Sequence, residues 1–243
     1  MGNLIGFDLD DTLIPTVVHY IDAQEKLNDF VLDSFKGLKF NRDEIDDMRE
    51  GIQMDLVSKM GFSSEVFPGS FEHTYVKLSE VYGARATRGG RSCAYELGRR
   101  VFNEKAWGSA GLLPGSEDVL DFFKDRGDRL VMITLGDDEI QRRKIEVVGL
   151  DKWFSGDDVY VDLRSKGDIM KRLFTKEERA DGLFVGDSYR HDVRPALGAG
   201  VRVAYIPQGS WHGDGIFNGS DPSVIKLRDI SKVKDIYESS VLK

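Results

Sequence analysis

The spacing of hydrophobic residues divides the chain into two parts. From Pro15 to about Gly108, apolar residues recur at steps of three and four, which is typical of amphipathic helices. This periodicity predicts four helices, at residues 19–35, 41–60, 68–81 and 92–102. Asn41 followed three residues later by Glu44 predicts a capping box at the start of the second helix. Short glycine-containing turns between these segments indicate an antiparallel helical bundle.

After Leu113-Pro114-Gly115 the pattern changes to strands and helices in alternation. Short apolar runs of the kind buried in parallel sheets lie at residues 130–133, 159–161, 183–185 and 201–206, and another lies at 4–7. Helical patterns flank the later strands, at residues 117–126, 141–148, 168–174 and 193–199. This alternation predicts an α/β fold with a doubly wound, Rossmann-like parallel sheet and right-handed crossovers.

The first strand is separated from the rest of this sheet by the helical region. The simplest account is that the helical region is inserted into the connection that follows the first strand. We therefore expect an α/β core of residues 1–14 and 113–243 and an inserted, all-helical domain of residues 15–112.

Composition and charge narrow the class of protein. The 243 residues include 40% hydrophobic and 31% charged side chains, as in soluble globular proteins. The net charge of −8 argues against a nucleic acid partner but permits a small phosphorylated ligand. Cys93 is the only cysteine, which excludes an intrachain disulfide and a cysteine-rich zinc site. Without a signal-peptide pattern or an apolar run that could cross a membrane, we expect a cytoplasmic protein with no membrane partner.

Three carboxylates, those of Asp8, Asp10 and Asp11, directly follow the first apolar run. Like charges at this range repel each other, and each loses hydration if the site is enclosed. Such a group persists most naturally when a divalent cation neutralises it or when chemistry requires it. A calcium-binding EF-hand is excluded because Leu13 stands where that loop needs glycine, and His19 where it needs glutamate.

Further polar residues follow the other predicted strands, and ligands of open parallel sheets bind beyond the carboxyl ends of the strands. They are Thr134 after the second strand, Lys166 just past the third, Gly186-Asp187 after the fourth, and Asp192. Some have plainer interpretations: Thr134 as an ordinary strand-end residue, and Asp192 as the cap of the helix that contains Pro195. For the lysine, Lys144, Lys152 and Lys171 are alternatives to Lys166.

In order along the chain, these motifs resemble the haloacid dehalogenase superfamily, in its phosphatase branch. The resemblance is carried by Asp8-x-Asp10-x-Thr12, Thr134, Lys166 and Gly186-Asp187-Ser188-x-x-x-Asp192, and it covers residues 1–14 and 113–243. The inserted helical region looks like that family's cap domain of the first type. One departure is Leu135, which follows Thr134 where many members of the family carry asparagine, so phosphate contacts there would come from backbone amides.

The resemblance implies a role for each motif residue. Asp8 would be the nucleophile that forms an aspartyl-phosphate, and Asp10 the general acid and base. Thr134 and Lys166 would bind the phosphate. The Mg²⁺ site would comprise Asp8, Asp10 through its backbone carbonyl, Asp187 and Asp192, the last of which would orient the loop or a water molecule.

These roles predict a Mg²⁺-dependent phosphatase that acts on a small phosphorylated metabolite. Asp10 favours phosphate chemistry over dehalogenation, because a departing halide needs no proton. A sugar-phosphate mutase would use the same acid and stays open as an alternative. A non-catalytic binding or scaffold protein that uses the helical insertion also stays open. The sequence leaves the oligomeric state undetermined.

Overall fold

A computed structural model describes residues 2–179, 181–208, 217, 219 and 221–241 of the chain. The protein divides into two compact units, an α/β unit formed by residues 1–16 and 104–243 and a helical unit formed by residues 17–103. No helix in these described ranges combines the length and the apolar character needed to cross a membrane.

The helical unit consists of α1 (Val17–Ser34), α2 (Arg42–Met60), α3 (Val66–Val81) and α4 (Arg88–Arg99). The predicted capping box is present: the Asn41 side chain accepts a hydrogen bond from the Glu44 N–H at 3.0 Å, and the Glu44 carboxylate accepts from the Asn41 N–H at 2.9 Å. All four predicted helices are therefore present within residues 17–103, with shifted ends.

The largest shift is at α4, which begins four residues before the predicted start at 92. The Thr87 hydroxyl caps it by accepting from the Gly90 N–H at 3.0 Å. A side chain at Gly90 would place its Cβ 2.2 Å from the Tyr75 hydroxyl. Gly90 therefore lies within α4 and permits close packing of this helix on α3.

In the α/β unit, the described residues form one six-stranded, fully parallel sheet. Its strands are β1 (Leu4–Phe7), β2 (Arg129–Leu135), β3 (Val159–Asp162), β4 (Leu183–Gly186), β5 (Arg202–Tyr205) and β6 (Val224–Lys226), in the order β3-β2-β1-β4-β5-β6. β1 lies between β2 and β4, with Phe7 opposite Met132 on one side and Val185 on the other. The prediction of a Rossmann-like parallel sheet with the first strand joined across the insertion is confirmed.

Helices cover both faces of this sheet. They are α5 (Glu104–Ala110), α6 (Ser116–Asp125), α7 (Asp138–Val147), α8 (Gly167–Leu173), α9 (Arg194–Ala199) and α10 (Lys232–Val241). Successive strand residues point to opposite faces, so two apolar cores result. One contains Phe7 with Phe123 of α6 and Ile145 of α7, and the other contains Phe184 with Met170 of α8.

The limits of the two units differ from the predicted domain limits of 14/15 and 112/113. Residues 15–16 and 104–112 group with the α/β unit. The second difference arises because α5, which was not predicted, packs against α7. Trp107 of α5 is buried, its ring lies 5.6 Å from the Lys144 ammonium, and a Cβ at Gly108 would lie 3.3 Å from Val147.

Candidate active site

The loop after β1 presents Asp8 and Asp10 at the carboxyl end of the central strand. The Asp8 N–H still donates to the Val185 carbonyl at 2.9 Å, so this residue continues the pairing with β4. Asp11 then adopts a left-handed backbone with φ of 57°, which aspartate tolerates better than most residues. Its buried carboxylate accepts from the Thr16 N–H at 2.9 Å and hydroxyl at 3.1 Å. The third carboxylate of the sequence cluster therefore shapes the turn.

Asp8, Asp187 and Asp192 form a buried group in which each side chain offers an oxygen within 4.8 Å of the others. Lys166, which directly precedes α8, enters this group. Its ammonium lies 2.5 Å from Asp8 Oδ1 and 2.6 Å from Asp192 Oδ1. The Thr12 hydroxyl lies 3.4 Å from Asp187 Oδ1, as a weaker donor. Residues from the ends of β1 and β4 and from the start of α8 therefore meet at one site.

Asp192 is fully buried and both of its oxygens accept hydrogen bonds. Lys166 donates to one, and the Ser188 N–H donates to the other at 2.9 Å. The interpretation of Asp192 as the cap of the helix that contains Pro195 is wrong, because that helix begins at Arg194 and has no side-chain cap. The Ser188 hydroxyl instead caps the preceding turn by accepting from the His191 N–H at 3.0 Å. Asp192 lies within the π-helical turn Tyr189–Val193 that follows. A Cβ at Gly186 would lie 2.5 Å from Asp192 Cγ, so only glycine leaves room for this carboxylate.

The electrostatics of this group are dominated by burial. Burial raises the pKa of Asp8 to about 7, and the neighbouring Asp192 and Asp10 add to the rise against the opposing effect of Lys166. Burial likewise raises the pKa of Asp187 well above its usual range, with further contributions from Asp192 and Asp8. For Lys166 burial acts to lower the pKa, but the adjacent Asp192 and Asp8 raise it overall. Full ionisation of Asp8, Asp187 and Asp192 would place more negative charge in this buried group than Lys166 neutralises, so Asp8 and Asp187 retain their protons to higher pH than exposed carboxyls do.

Asp10 belongs to a second polar group, supplied by α7. Lys144 donates to both oxygens of the Asp10 carboxylate, at 2.8 and 3.0 Å. The Gln141 amide donates to Asp10 Oδ2 at 2.8 Å and to the Thr134 hydroxyl at 2.7 Å. Among the lysines weighed in the sequence, Lys166 and Lys144 are buried at the two motif aspartates, while Lys152 and Lys171 are exposed.

Sequence reasoning did not identify Gln141 as a site residue, and it weighed Lys144 only as a substitute for Lys166. The sequence of α7 nevertheless contains a signal for both residues. Gln141 and Lys144 are three positions apart, so they share the face of α7 that also carries buried Ile145. A lysine on the apolar face of a helix requires a buried partner. The partner here is the second aspartate of the first motif.

The residue types at the site fit a divalent cation. Asp8, Asp10, Asp187 and Asp192 carry four formal negative charges, and Lys144 and Lys166 carry two positive charges, which leaves an excess of two negative charges on these six side chains. Carboxylate oxygens are the donors that Mg²⁺ prefers, and opposite ligands of an octahedral Mg²⁺ lie about 4.2 Å apart. The oxygens of the buried group lie within 4.8 Å of one another.

Two of the predicted contacts involve backbone groups, and the distances between side chains do not test them. Ligation through the Asp10 backbone carbonyl stays a prediction. So does phosphate binding by the amides that follow Thr134, although the Gly136 N–H is engaged, because it donates to the Asp162 carbonyl at 3.0 Å. The structure brings together Asp8, Lys166, Asp187 and Asp192, and it links Asp10 to Thr134 through Gln141.

Comparisons with known proteins agree with the fold. A family model described as haloacid dehalogenase-like hydrolase matches residues 3–200. No protein of curated function matches the sequence. A haloacid dehalogenase-like family hydrolase from Xanthomonas campestris superposes with a TM-score of 0.76 at 21% identity, over 99% of this chain and 91% of that chain.

Two further structures show that this architecture is shared by proteins with different named activities. A predicted phosphoglycolate phosphatase from Haemophilus somnus has a TM-score of 0.60 and 20% identity, with 97% of each chain covered. An L-2-haloacid dehalogenase from Xanthobacter autotrophicus has a TM-score of 0.55 and 13% identity, with 98% of this chain and 99% of that chain covered. At these identities the similarity shows the fold, and the reaction must be argued from the site.

Proposed function

Because the chain belongs to the haloacid dehalogenase-like hydrolase family, we propose that it is a Mg²⁺-dependent phosphatase. The substrate is a small phosphomonoester, and the reaction proceeds through an aspartyl-phosphate on Asp8. The observation that carries this proposal is the buried group of Asp8, Asp187 and Asp192, with oxygens within 4.8 Å of one another. Such a group suits a cation that neutralises a phosphoryl group.

The second carboxylate of the first motif favours phosphate hydrolysis over dehalogenation. Asp10 is 28% exposed at its side chain and is held by two donors of α7, so it is both accessible and oriented. An alkoxide leaving group requires a proton when its bond to phosphorus breaks, whereas a halide does not. A dehalogenase would therefore have no use for a carboxylate held in this position.

The residues divide the work as follows. An oxygen of Asp8 attacks phosphorus, while the bond from phosphorus to the leaving oxygen breaks and that oxygen takes a proton from Asp10. In the second step Asp10 takes a proton from the water that attacks the aspartyl-phosphate, which releases inorganic phosphate and frees Asp8. Lys166 and Thr134 stabilise the phosphoryl oxygens. Bound at Asp8 and Asp187, Mg²⁺ would supply the positive charge that the phosphoryl group requires.

The proposed substrate is a small phosphorylated metabolite. The net charge of −8 disfavours a nucleic acid, while Lys166 together with a bound Mg²⁺ would provide the local positive charge that a single phosphate needs. The family resemblance assigns the choice among such metabolites to the helical unit, as a cap domain, and this assignment stays a prediction.

The test is hydrolysis of p-nitrophenyl phosphate with Mg²⁺ and with EDTA. We expect turnover that requires Mg²⁺ and falls by about a thousandfold or more in Asp8→Asn. The matched control is Asp168→Asn, which removes the same charge from a side chain that is 99% exposed, and it should behave as the parent. Equal turnover by Asp8→Asn and the parent would overturn the proposal. So would Mg²⁺-independent release of chloride from 2-chloropropionate without phosphatase activity.

A further inference from the structure

The buried face of α7 carries two polar side chains where a helix that packs on a sheet normally carries apolar ones. Gln141 is 2% exposed and Lys144 is 3% exposed. Neighbouring Arg142 and Arg143 are directed outward and pair with surface carboxylates. Burial of a lysine is costly unless a partner compensates, so a leucine or methionine at position 144 would serve packing better. The polar pair therefore calls for a chemical explanation.

Both side chains engage Asp10. Lys144 donates to the two oxygens of that carboxylate, at 2.8 and 3.0 Å, which fixes its rotation. The Gln141 amide nitrogen has two N–H groups, and it lies 2.8 Å from Asp10 Oδ2 and 2.7 Å from the Thr134 hydroxyl. Gln141 thereby ties the proposed proton donor to the proposed phosphate-binding hydroxyl. Among the residues that the structure describes, neither Lys144 nor Gln141 forms a hydrogen bond or ion pair with Asp8, Asp187 or Asp192.

The Lys144 side chain is itself held in place. Its ammonium lies 5.6 Å from the centre of the buried Trp107 ring of α5, within the range of a cation–π interaction. The Trp107 ring and the Asp10 carboxylate therefore both contact the ammonium. This arrangement restricts the position of a carboxylate that lies on a loop.

We propose that Lys144 and Gln141 are positioning residues that hold the Asp10 carboxylate in line with the Thr134 phosphate-binding hydroxyl for proton transfer to the leaving oxygen. This inference rests on the proposed phosphatase function. Neither residue exchanges a proton or contacts phosphorus. Their effect is to reduce the range of positions that Asp10 adopts, and misplacement by about 1 Å is enough to lower a rate about a hundredfold.

The test compares substrates that have the same shape but leaving groups of different basicity. Phenyl phosphate needs a proton at its leaving oxygen more than p-nitrophenyl phosphate does, because phenolate is the stronger base. In Lys144→Met, we expect kcat/KM for phenyl phosphate to fall at least about tenfold further than kcat/KM for p-nitrophenyl phosphate. A purely structural role would lower both values by the same factor, and that result would overturn the inference.

Three further variants make the test specific. Lys144→Arg retains a charged donor and should recover part of the loss on phenyl phosphate. Gln141→Leu, in which no buried charge is removed, should show the same selective loss, and it carries the test if Lys144→Met does not fold. Lys171→Met makes the same substitution at an exposed position on α8 and should leave both substrates unaffected.

The two hypotheses fail in different ways. If the parent hydrolyses neither aryl phosphate in the presence of Mg²⁺, the proposed function is wrong. If the parent hydrolyses both, and Lys144→Met and Gln141→Leu lower both to the same extent, only the positioning role is wrong.

Discussion

Burial of Asp8 makes the stability of the metal-free protein depend on pH in a defined direction. The pKa of this carboxyl is raised from 3.8 to about 7 in the folded protein, first by burial. Below pH 3.8 the group is protonated in both the folded and the unfolded states. As the pH rises through 3.8, the unfolded chain releases this proton while the folded protein retains it, so stability falls until about pH 7.

The size of the effect follows from the shift. Each pKa unit corresponds to about 1.4 kcal/mol, so the rise from 3.8 to about 7 corresponds to on the order of 4 kcal/mol. Two of these units lie between pH 5 and pH 7, which amounts to about 3 kcal/mol. Asp8→Asn removes the titrating group but leaves Lys166 paired with Asp192 at 2.6 Å. We therefore expect Asp8→Asn to match the parent below pH 3.8, and its stability advantage over the parent to grow by about 3 kcal/mol between pH 5 and pH 8.

The assay is urea unfolding in EDTA, followed by tryptophan fluorescence at pH 5 and pH 8. All three tryptophans, Trp107, Trp153 and Trp211, lie in residues 104–243, so the signal reports the α/β unit. Mg²⁺ at a hundred times its dissociation constant should stabilise the parent by about 2.7 kcal/mol at pH 8 and have little effect on Asp8→Asn. Exposed Asp168→Asn is the control. The reasoning is refuted if the difference between Asp8→Asn and the parent is the same at both pH values.

Three other variants test individual contacts. Gly186→Ala places a Cβ 2.5 Å from Asp192 Cγ, so the Mg²⁺ concentration for half-maximal activity should rise about tenfold or more in a metal titration. Asp11→Ala removes both acceptors of Thr16 and leaves alanine at a φ of 57°, so urea unfolding should show a loss of about 1–3 kcal/mol. Asn41→Ala removes the cap of α2 and should destabilise the helical unit by about 1 kcal/mol, measured by circular dichroism, with unchanged turnover. An unchanged metal requirement in Gly186→Ala would contradict the first expectation. An unchanged unfolding curve in Asp11→Ala would contradict the second, and an unchanged helical signal in Asn41→Ala would contradict the third.

The elements predicted well from the sequence are those whose signal is local. Buried parallel strands are short apolar runs, and β1, β2, β4 and β5 each contain at least three consecutive buried residues. The capping box of α2 depends on residues three positions apart. By contrast β6, α5 and α10 were not predicted. None of the three residues of β6 is buried, and α5 and α10 lie in polar stretches whose packing partners are distant in the chain. The start of α4 was predicted four residues too late, and Gly90 within that helix accommodates a tyrosine from α3.

The same distinction applies to the site. Asp8, Asp10, Asp187 and Asp192 could be proposed from the sequence because each follows a strand in a recognisable motif. The role of α7 could not, since Gln141 and Lys144 are 131 and 134 residues from Asp10 along the chain. Nothing in the local pattern of α7 states which carboxylate its lysine meets. β1 pairs in parallel with β2, and the end of β2 leads into α7. This pairing brings Lys144 to Asp10.

The two motif aspartates are separated by a single residue, yet each has its own lysine, and the two lysines come from opposite sides of the sheet. Lys166 precedes α8, which packs with Phe184 on one face, and Lys144 lies on α7, which packs with Phe7 on the other. Asp8 shares its lysine with Asp192 and therefore with the candidate metal site. Within the described part of the chain, Lys144 forms no hydrogen bond or ion pair with that group. Charge at the proposed nucleophile and placement of the proposed proton donor are thus controlled by separate elements. A substitution on α7 can therefore alter proton transfer without altering the residues that would hold Mg²⁺.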